Sequence, residues 1–200
     1  FGELGHEKYN EYATHIHSSG RHLLSIINDI LDLSKVEAGK LEFDMAVVTL
    51  DKVMERAVAI VRGSGESSGV SIDVTDLSAL PGLRASEQRL LQIFVNLLSN
   101  AVKFTADGGN VNVQAQSDGG DIVIMISDDG IGMTAAEIEQ AMLPFTQVDS
   151  SLARRFEGTR LGLPLAKLLV EGHGGSLHME SEPGKGTVVS VRLPAISNQA

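Results

Sequence analysis

Two asparagines and a lysine stand at intervals of four and three residues within a segment of apolar, helix-like periodicity. They are Asn96, Asn100 and Lys103, and this spacing places them on one face of a helix. A neutral amide oxygen can complete the octahedral shell of a magnesium ion held mainly by water and phosphate. A lysine supplies a point charge for a phosphate oxygen. Taken alone, the three residues are somewhat more typical of a solvated helix face.

An aspartate followed by two glycines stands at the end of a strand-like segment. Asp128 precedes Gly130 and Gly132, which allow the backbone to come close to a flat ring. The carboxylate can accept a hydrogen bond from the exocyclic amine of adenine, and such a charge-assisted bond contributes about 1.5–3 kcal/mol. An acidic turn after a strand is the plainer alternative, because Gly-x-Gly by itself is a weak signal.

A third glycine-containing segment, residues 158–162, opens a helix. Gly158 and Gly162 flank Thr159, Arg160 and Leu161. Backbone N–H groups at a helix start, with the positive end of the helix dipole behind them, form a natural phosphate seat. A loop that only needs positive φ would use the same glycines, and the two interpretations are compatible. Three such segments in this order make ATP binding the leading hypothesis.

Helix and strand patterns describe the elements that must position these residues. Residues 7–38 predict one long helix that ends at Gly39 and needs partner helices along its length. Beyond it, strands are predicted at residues 41–48, 70–74, 80–84, 109–117, 121–127, 176–181 and 187–193, and helices at 50–61, 86–104, 134–142 and 161–171. Loops are expected at 63–69 and 143–158. Helices over one sheet indicate an α+β fold, an α/β sandwich preceded by the long helix.

Composition excludes several kinds of protein. The chain contains no Cys, which excludes disulfides, thiolate metal sites and cysteine nucleophiles. A formal net charge of −10 argues against nucleic acid, because that binding depends on Lys and Arg neutralising phosphates. We find no membrane-spanning apolar run and no signal peptide. The chain opens on Phe1 rather than Met, so we expect a fragment. Its expected location is the cytoplasm, either as such or as the cytoplasmic part of a membrane-anchored protein.

Together these segments resemble the ATP-binding catalytic domain of sensor histidine kinases, which has the Bergerat (GHKL) fold. Residues 96–104 are similar to the N box, 128–133 to the G1 box, 143–145 to the F box, 158–163 to the G2 box and 184–187 to the final glycine turn. Residues 22–39 resemble the second dimerisation helix, and residues 1–5 more loosely the inter-helix loop of the PleC/DivJ cell-fate subgroup. The resemblance implies a partial dimerisation domain at residues 1–39 and an ATP-binding domain at 40–196.

The resemblance also implies roles for single residues. It places Mg²⁺ on Asn100 with Asn96 nearby, and Asp128 on the adenine. It places Lys103 and either Arg154 or Arg155 near the phosphates, and it makes residues 143–158 a lid. The other residues carried over to the ATP site are Phe104, Gly130, Gly132, Met133, Phe145, Gly158, Thr159, Leu161, Gly162, Leu163 and Thr187.

The first departure from the family is the phosphoacceptor motif, His-Glu/Asp-x-x-Thr/Asn-Pro. Residues 6–10 imitate its start, but Glu11 stands where the family has proline, and the position falls in the presumed inter-helix loop. Three histidines on the second helix are expected to be packing or surface residues: His15, His17 and His22. His173 and His178 lie in the ATP domain and resemble nothing catalytic. We therefore expect this chain to bind ATP without phosphorylating itself, and we assign no catalytic residue within it.

The second departure is Arg160, which stands where the family usually has the middle glycine of Gly-Thr-Gly-Leu-Gly. A side chain there can obstruct the approach of the backbone to the phosphates. Its guanidinium can alternatively bind a phosphate oxygen pair. We expect weakened nucleotide binding.

Three functions follow from the resemblance and its departures. In the intact kinase, the γ-phosphoryl group of Mg-ATP passes to a histidine and then to the receiver domain of a response regulator. ATP hydrolysis of the Hsp90, gyrase and MutL kind needs a glutamate four residues before the metal asparagine, and Asn96 stands there instead. A pseudokinase or signalling scaffold is the alternative that Arg160 supports. For any of them, the apolar stripe over residues 16–33 is one that would normally complete a four-helix dimer core, with two helices from each partner. We expect self-association as a homodimer through this helical domain, with or without that native arrangement.

Overall fold

The computed structural model describes residues 7–65, 69–144 and 161–196. The chain divides into two compact units, Phe1–Leu41 and Glu42–Ala200, and each is described by itself. Among the described residues, none of the helices combines the length and the apolar character that crossing a membrane requires.

The first unit is a single helix, α1, which spans Glu7–Glu37 as the periodicity predicts. It ends in a Schellman motif. Gly39 adopts a φ of +63°, its N–H donates to the Val36 carbonyl at 2.9 Å, and the Lys40 N–H donates to the Lys35 carbonyl at 2.8 Å. The large apolar side chains that remain exposed on α1 are Tyr9, Tyr12, Ile16, Leu23, Leu24, Ile27, Ile30 and Leu31.

The second unit is built on a five-stranded sheet with the strand order β2-β4-β5-β7-β6. The strands are β2 Ser71–Val74, β4 Asn110–Asp118, β5 Asp121–Asp128, β6 Ser176–Glu182 and β7 Gly186–Pro194. β2 lies parallel to β4, and the other neighbours are antiparallel. A separate antiparallel ladder joins β1, Ala46–Val48, to β3, Leu83–Ala85.

The described helices of this unit are α2 Leu50–Gly65, α3 Glu87–Phe104, α4 Ala135–Ala141 and α5 Gly162–Gly172. α3 lies at the centre of the helical layer, because it packs against α2, α5, β4 and β5. Burial alternates along β5, where Ile122, Ile124 and Ile126 are buried against the helices. Asp128 continues that alternation by two residues, so its side chain belongs to the helix-facing side at the end of the sheet. The predicted α+β sandwich is confirmed.

Several predicted element bounds differ from the structure; the strand predicted over residues 80–84, for example, is Leu83–Ala85. The strand predicted over residues 41–48 is reduced to Ala46–Val48, because the preceding Phe43 packs its ring edge-on against the His173 imidazole at 4.8 Å instead of joining a ladder. The loop expected from Gly63 begins later, because α2 continues to Gly65. The Arg62 guanidinium donates to the Ile72 carbonyl at 2.8 Å, which ties this last stretch of α2 to β2. Tertiary contacts override the low helix propensity of Gly and Ser here.

Candidate functional site

The polar face of α3 contacts the start of α5. The opposite face of α3 is buried through Leu90, Ile93, Phe94, Leu97, Leu98, Ala101 and Val102. Asn96 is half-buried and its Nδ2 donates to the Gly162 carbonyl at 3.3 Å. A Cβ added to Gly162 would lie 3.5 Å from the Asn96 Cγ, so the Gly162 backbone lies close to the Asn96 side chain. Gly162, the last residue of the third sequence segment, is therefore adjacent in space to the first segment.

Asn100 and Lys103 lie further along the same face, and both are half-buried. Within the described part of the chain, the Asn100 amide makes no side-chain hydrogen bond. The Lys103 Nζ lies 5.3 Å from the centre of the Phe104 ring, within the range of a cation–π interaction. An amide oxygen with no partner among the described residues, on the same helix face as a lysine, suits an oxygen-coordinated cation and a phosphate.

The end of α3 holds the glycine segment that follows β5. The Ile131 N–H donates to the Phe104 carbonyl at 3.1 Å. A Cβ on Gly130 would collide with that same carbonyl oxygen, so any residue with a side chain would push the segment away from α3. Gly130 is thus required for close approach of two backbones, and the first and second segments also meet.

Asp128 presents a half-buried carboxylate at this meeting point. Its Oδ1 accepts hydrogen bonds from the Gly130 N–H at 3.0 Å and the Thr187 N–H at 3.2 Å. Burial raises the pKa of Asp128, the two backbone N–H groups oppose this rise, and the neighbouring Asp129 charge adds to it. No described residue binds Oδ2. The half-buried Asp128 carboxylate therefore keeps its Oδ2 as an acceptor for a ligand, where little solvent competes.

The β6–β7 hairpin supports the other side of the glycine segment. Gly132 has a φ of +64°, and a Cβ there would collide with the Glu182 carbonyl. The Gly184 N–H donates to the Ile131 carbonyl at 2.7 Å, and the Met133 N–H donates to the Ser181 Oγ at 2.8 Å. Residues 128–133 are consequently held between α3 and this hairpin.

The start of α5 offers backbone rather than side chains. Leu161 and Leu163 are 2% and 9% exposed, so their side chains belong to the core. The N-terminal cap residue is Leu161, which has no side-chain capping bond. The N–H groups that open α5 are thus not capped by the side chain at that position.

Several residues predicted for the site lie outside the described residues. They are Phe145, Arg154, Arg155, Gly158 and Thr159, together with Arg160 and most of the expected lid. The histidine of the motif-like segment, His6, also lies outside them.

Two residues make contacts near the site that the sequence did not indicate. Ser181 lies opposite Thr187 in the β6–β7 register, and a hairpin alignment about residues 183–186 would have paired them. His173 is buried, and it joins the helices that carry the site: its Nε2 accepts the Ser86 N–H at 3.1 Å and its Nδ1 lies 2.7 Å from the Leu169 carbonyl. Ser86 is the N-terminal cap residue of α3. A histidine one residue beyond a helix carried no sequence signal of this contact.

Comparison with known proteins gives a family match over residues 85–197, to the family described as histidine kinase-, DNA gyrase B-, and HSP90-like ATPase. This range contains α3, the glycine segment after β5, α5 and the β6–β7 hairpin.

Similar proteins cover almost the whole chain. A non-motile and phage-resistance protein of Caulobacter vibrioides is 43% identical over 97% of this chain and 23% of its own length. The cell-division control histidine kinase PdhS of Brucella anthropi is 41% identical over 97% of this chain and 19% of its own length. The chain thus spans about a fifth of the length of these curated relatives.

Solved structures match the chain as well. Full-length ShkA in complex with AMPPNP matches the whole chain and 41% of its own, with a TM-score of 0.82 and 29% identity. The mycobacterial sensor histidine kinase MprB matches 76% of this chain and 97% of its own, with a TM-score of 0.64 and 26% identity.

Proposed function

The chain belongs to the histidine kinase-, DNA gyrase B- and HSP90-like ATPase family, as the ATP-binding catalytic domain of a sensor histidine kinase, and from that premise we propose how its residues serve phosphoryl transfer. The γ-phosphoryl group of ATP passes to a histidine that we place outside these residues. It then passes to a response-regulator receiver domain. In this proposal the chain supplies nucleotide binding and half of a dimerisation hairpin.

The observation that carries the proposal is the convergence on Asp128. α3, the glycine segment and β7 meet there through the Phe104–Ile131 and Asp128–Thr187 hydrogen bonds. The half-buried carboxylate fits an adenine amine, because it keeps an acceptor atom where solvent competes little. Gly130, Gly132 and Met133 would bring backbone to the base.

The phosphates would lie toward Asn96, Asn100, Lys103 and the start of α5. Backbone N–H groups of α5 would bind phosphate oxygens and Lys103 would neutralise their charge. Among the described residues, no group of three His, Cys, Asp or Glu side chains could hold a metal. A magnesium ion would therefore take Asn100 and, for the rest, phosphate and water ligands. When bound, it would neutralise charge that develops on the transferred phosphoryl group.

The remaining predicted residues complete this proposal. Phe104 would close one side of the base, and Phe145 with Arg154 or Arg155 would act from the lid. Gly158, Thr159, Leu161, Gly162 and Leu163 would form the phosphate loop, and Thr187 would stand beside Asp128. Positioning and charge neutralisation then account for catalysis, with no general base from this chain.

Replacement of Asp128 tests the adenine contact. Asp128→Asn keeps an oxygen for the Gly130 and Thr187 N–H groups but turns an N–H₂ group toward the ligand. We expect the Kd for Mg-ATP, measured by isothermal titration calorimetry, to rise about 100-fold, because a donor then faces a donor. Asp129→Asn is the matched control and should change the Kd little. Equal effects of the two variants would contradict the assignment.

Arg160 decides between the kinase and the pseudokinase alternative. We propose that its side chain weakens binding where the family has glycine, so Arg160→Gly should bind Mg-ATP more tightly than the original chain. A several-fold change is expected, about 1 kcal/mol. Equal affinities would remove the inhibitory role of Arg160, and no measurable ATP binding by either form would favour the scaffold.

A further inference from the structure

Ser181 stands beside the Asp128–Thr187 pair, and all its hydrogen-bonding capacity is used. A serine hydroxyl has one proton and two acceptor lone pairs. The Met133 N–H, 2.8 Å from the Ser181 Oγ, can only donate and occupies one lone pair. The Gly186 carbonyl, also at 2.8 Å, can only accept and takes the Ser181 proton.

These two hydrogen bonds determine the direction of the third hydrogen bond of Ser181. The Ser181 Oγ and the Thr187 Oγ1 lie 2.9 Å apart, and the distance alone allows either atom to donate. Because the Ser181 hydroxyl donates its one hydrogen bond to the Gly186 carbonyl, the Thr187 hydroxyl must donate to the remaining lone pair of the Ser181 oxygen. The Thr187 oxygen then has only lone pairs left for a ligand.

Thr187 and Asp128 are directly opposite each other in the β5–β7 register, and Ser181 is opposite Thr187 in the β6–β7 register. The three side chains therefore form one row across the helix-facing side of the sheet. An ionised carboxylate is an acceptor only, and Thr187 is made an acceptor by Ser181. The two atoms that remain for a ligand, on Asp128 and Thr187, thus have the same polarity.

We propose that Ser181 is a specificity-determining residue. Its oxygen accepts the hydrogen bond of the Thr187 hydroxyl, so the edge formed by the Asp128 and Thr187 side chains can only accept hydrogen bonds from a base. Such an edge favours a base that presents an amine and disfavours a base that presents a carbonyl at the same position. Adenine is thereby preferred to guanine. The inference rests on the proposed function, since it requires a purine nucleotide at Asp128.

Ser181→Ala removes the acceptor of the Thr187 hydroxyl, so this hydroxyl can then donate its hydrogen bond to a carbonyl of the base. We expect the ratio of the Kd values for Mg-GTP and Mg-ATP, both measured by calorimetry on the 200-residue chain, to fall about tenfold. A general loosening of the glycine segment would weaken the binding of both nucleotides equally and leave the ratio of their Kd values unchanged. Ser181→Thr retains the hydroxyl and should retain the ratio. Ser190→Ala, on the other side of the sheet, is the matched control.

A double-mutant cycle tests whether the effect passes through Thr187. In a Thr187→Val background there is no hydroxyl proton to direct, so Ser181→Ala should change the ratio no further. An unchanged ratio in Ser181→Ala with ATP binding retained would overturn this inference alone. An additive effect in the Thr187→Val background would also overturn it. If the unmodified chain binds neither nucleotide, the proposed function fails and this inference with it.

Discussion

Asp128 combines restricted solvation with a negative charge, which is unfavourable for folding. Burial raises the pKa of its carboxyl group above the ordinary value of 3.8. A raised carboxyl pKa means that its contribution to stability is present at low pH and is lost as the pH rises through the folded-state pKa. The ionised group therefore costs folding free energy at neutral pH. Asp128→Asn should unfold at no lower denaturant concentration than the original chain, although it binds ATP less well.

His173 has the opposite effect to Asp128 on how stability depends on pH. Its Nε2 must stay unprotonated to accept the Ser86 N–H, and burial lowers the pKa of this imidazole although the Leu169 carbonyl bond opposes the shift. For a lowered histidine pKa, stability is present above the unfolded value of 6.5 and is lost as the pH falls below it toward the folded-state pKa. Protonation would leave the buried Ser86 N–H without its acceptor.

Replacement of His173 by glutamine tests that relation. Glutamine has an amide oxygen for the Ser86 N–H but no proton to gain. In urea unfolding, the original chain should lose about 1 kcal/mol more stability than His173→Gln between pH 7.5 and pH 5. His178→Gln replaces an exposed histidine and should keep the pH dependence of the original chain. Parallel pH profiles for His173→Gln and the original chain would refute the argument.

At the scale of elements, the site depends on backbones that approach each other more closely than side chains permit. The glycine segment after β5 contacts the α3 carbonyl of Phe104 on one side and the β6–β7 hairpin on the other. The missing side chain of Gly130 makes the first contact possible, and that of Gly132 makes the second possible. Both ends of α5 are in turn joined to α3, the start through the Asn96–Gly162 bond and the end through the Ser86–His173 bond. Displacement of one element would therefore be transmitted to the others.

A pair of glycine replacements separates the steric requirement from the conformational one. Gly132 and Gly119 have φ values of +64° and +61°, but only Gly132 would bring a Cβ against a carbonyl. Gly119→Ala should cost about 1 kcal/mol for its positive φ. Gly132→Ala should cost about 3 kcal/mol or more, because the hairpin must also move. Guanidinium unfolding measures both, and similar losses would show that close approach is unimportant.

At the scale of the whole molecule, α1 carries the exposed apolar stripe. Leu23 and Leu24 are each 59% exposed, and Ile16 is 73% exposed. An apolar helix face of this length is unfavourable in water and favours association with other helices. We propose a homodimer through this stripe.

A charge in the stripe should prevent this association. Leu24→Lys places an ammonium group within the apolar face, and sedimentation velocity should show a shift toward monomer with an unchanged Kd for Mg-ATP. Ile60→Lys is a suitable control, because Ile60 is similarly exposed at 47% but lies on α2. If the original chain sediments as a monomer at high concentration, the dimer proposal is wrong.

The sequence by itself determined the type and order of most elements. Periodicity predicted α1, α3 and α5, and Asp118 to Asp121 predicted the β4–β5 hairpin, because helices and tight turns depend on residues close in the chain. The family resemblance is confirmed for the same reason, since its boxes are local patterns. Local pattern could not show that Phe43 would leave the first strand to contact His173.

Tertiary structure alone decided how these residues work together. Ser181, Thr187 and Asp128 come from three strands, and only the strand order β5-β7-β6 places them in one row. The Ser86–His173 bond joins residues far apart in the chain, so no local signal marked it. Hydrogen-bond direction and burial depend on neighbours that folding brings together. They are therefore properties of the packed structure, whereas residue type and spacing are properties of the chain.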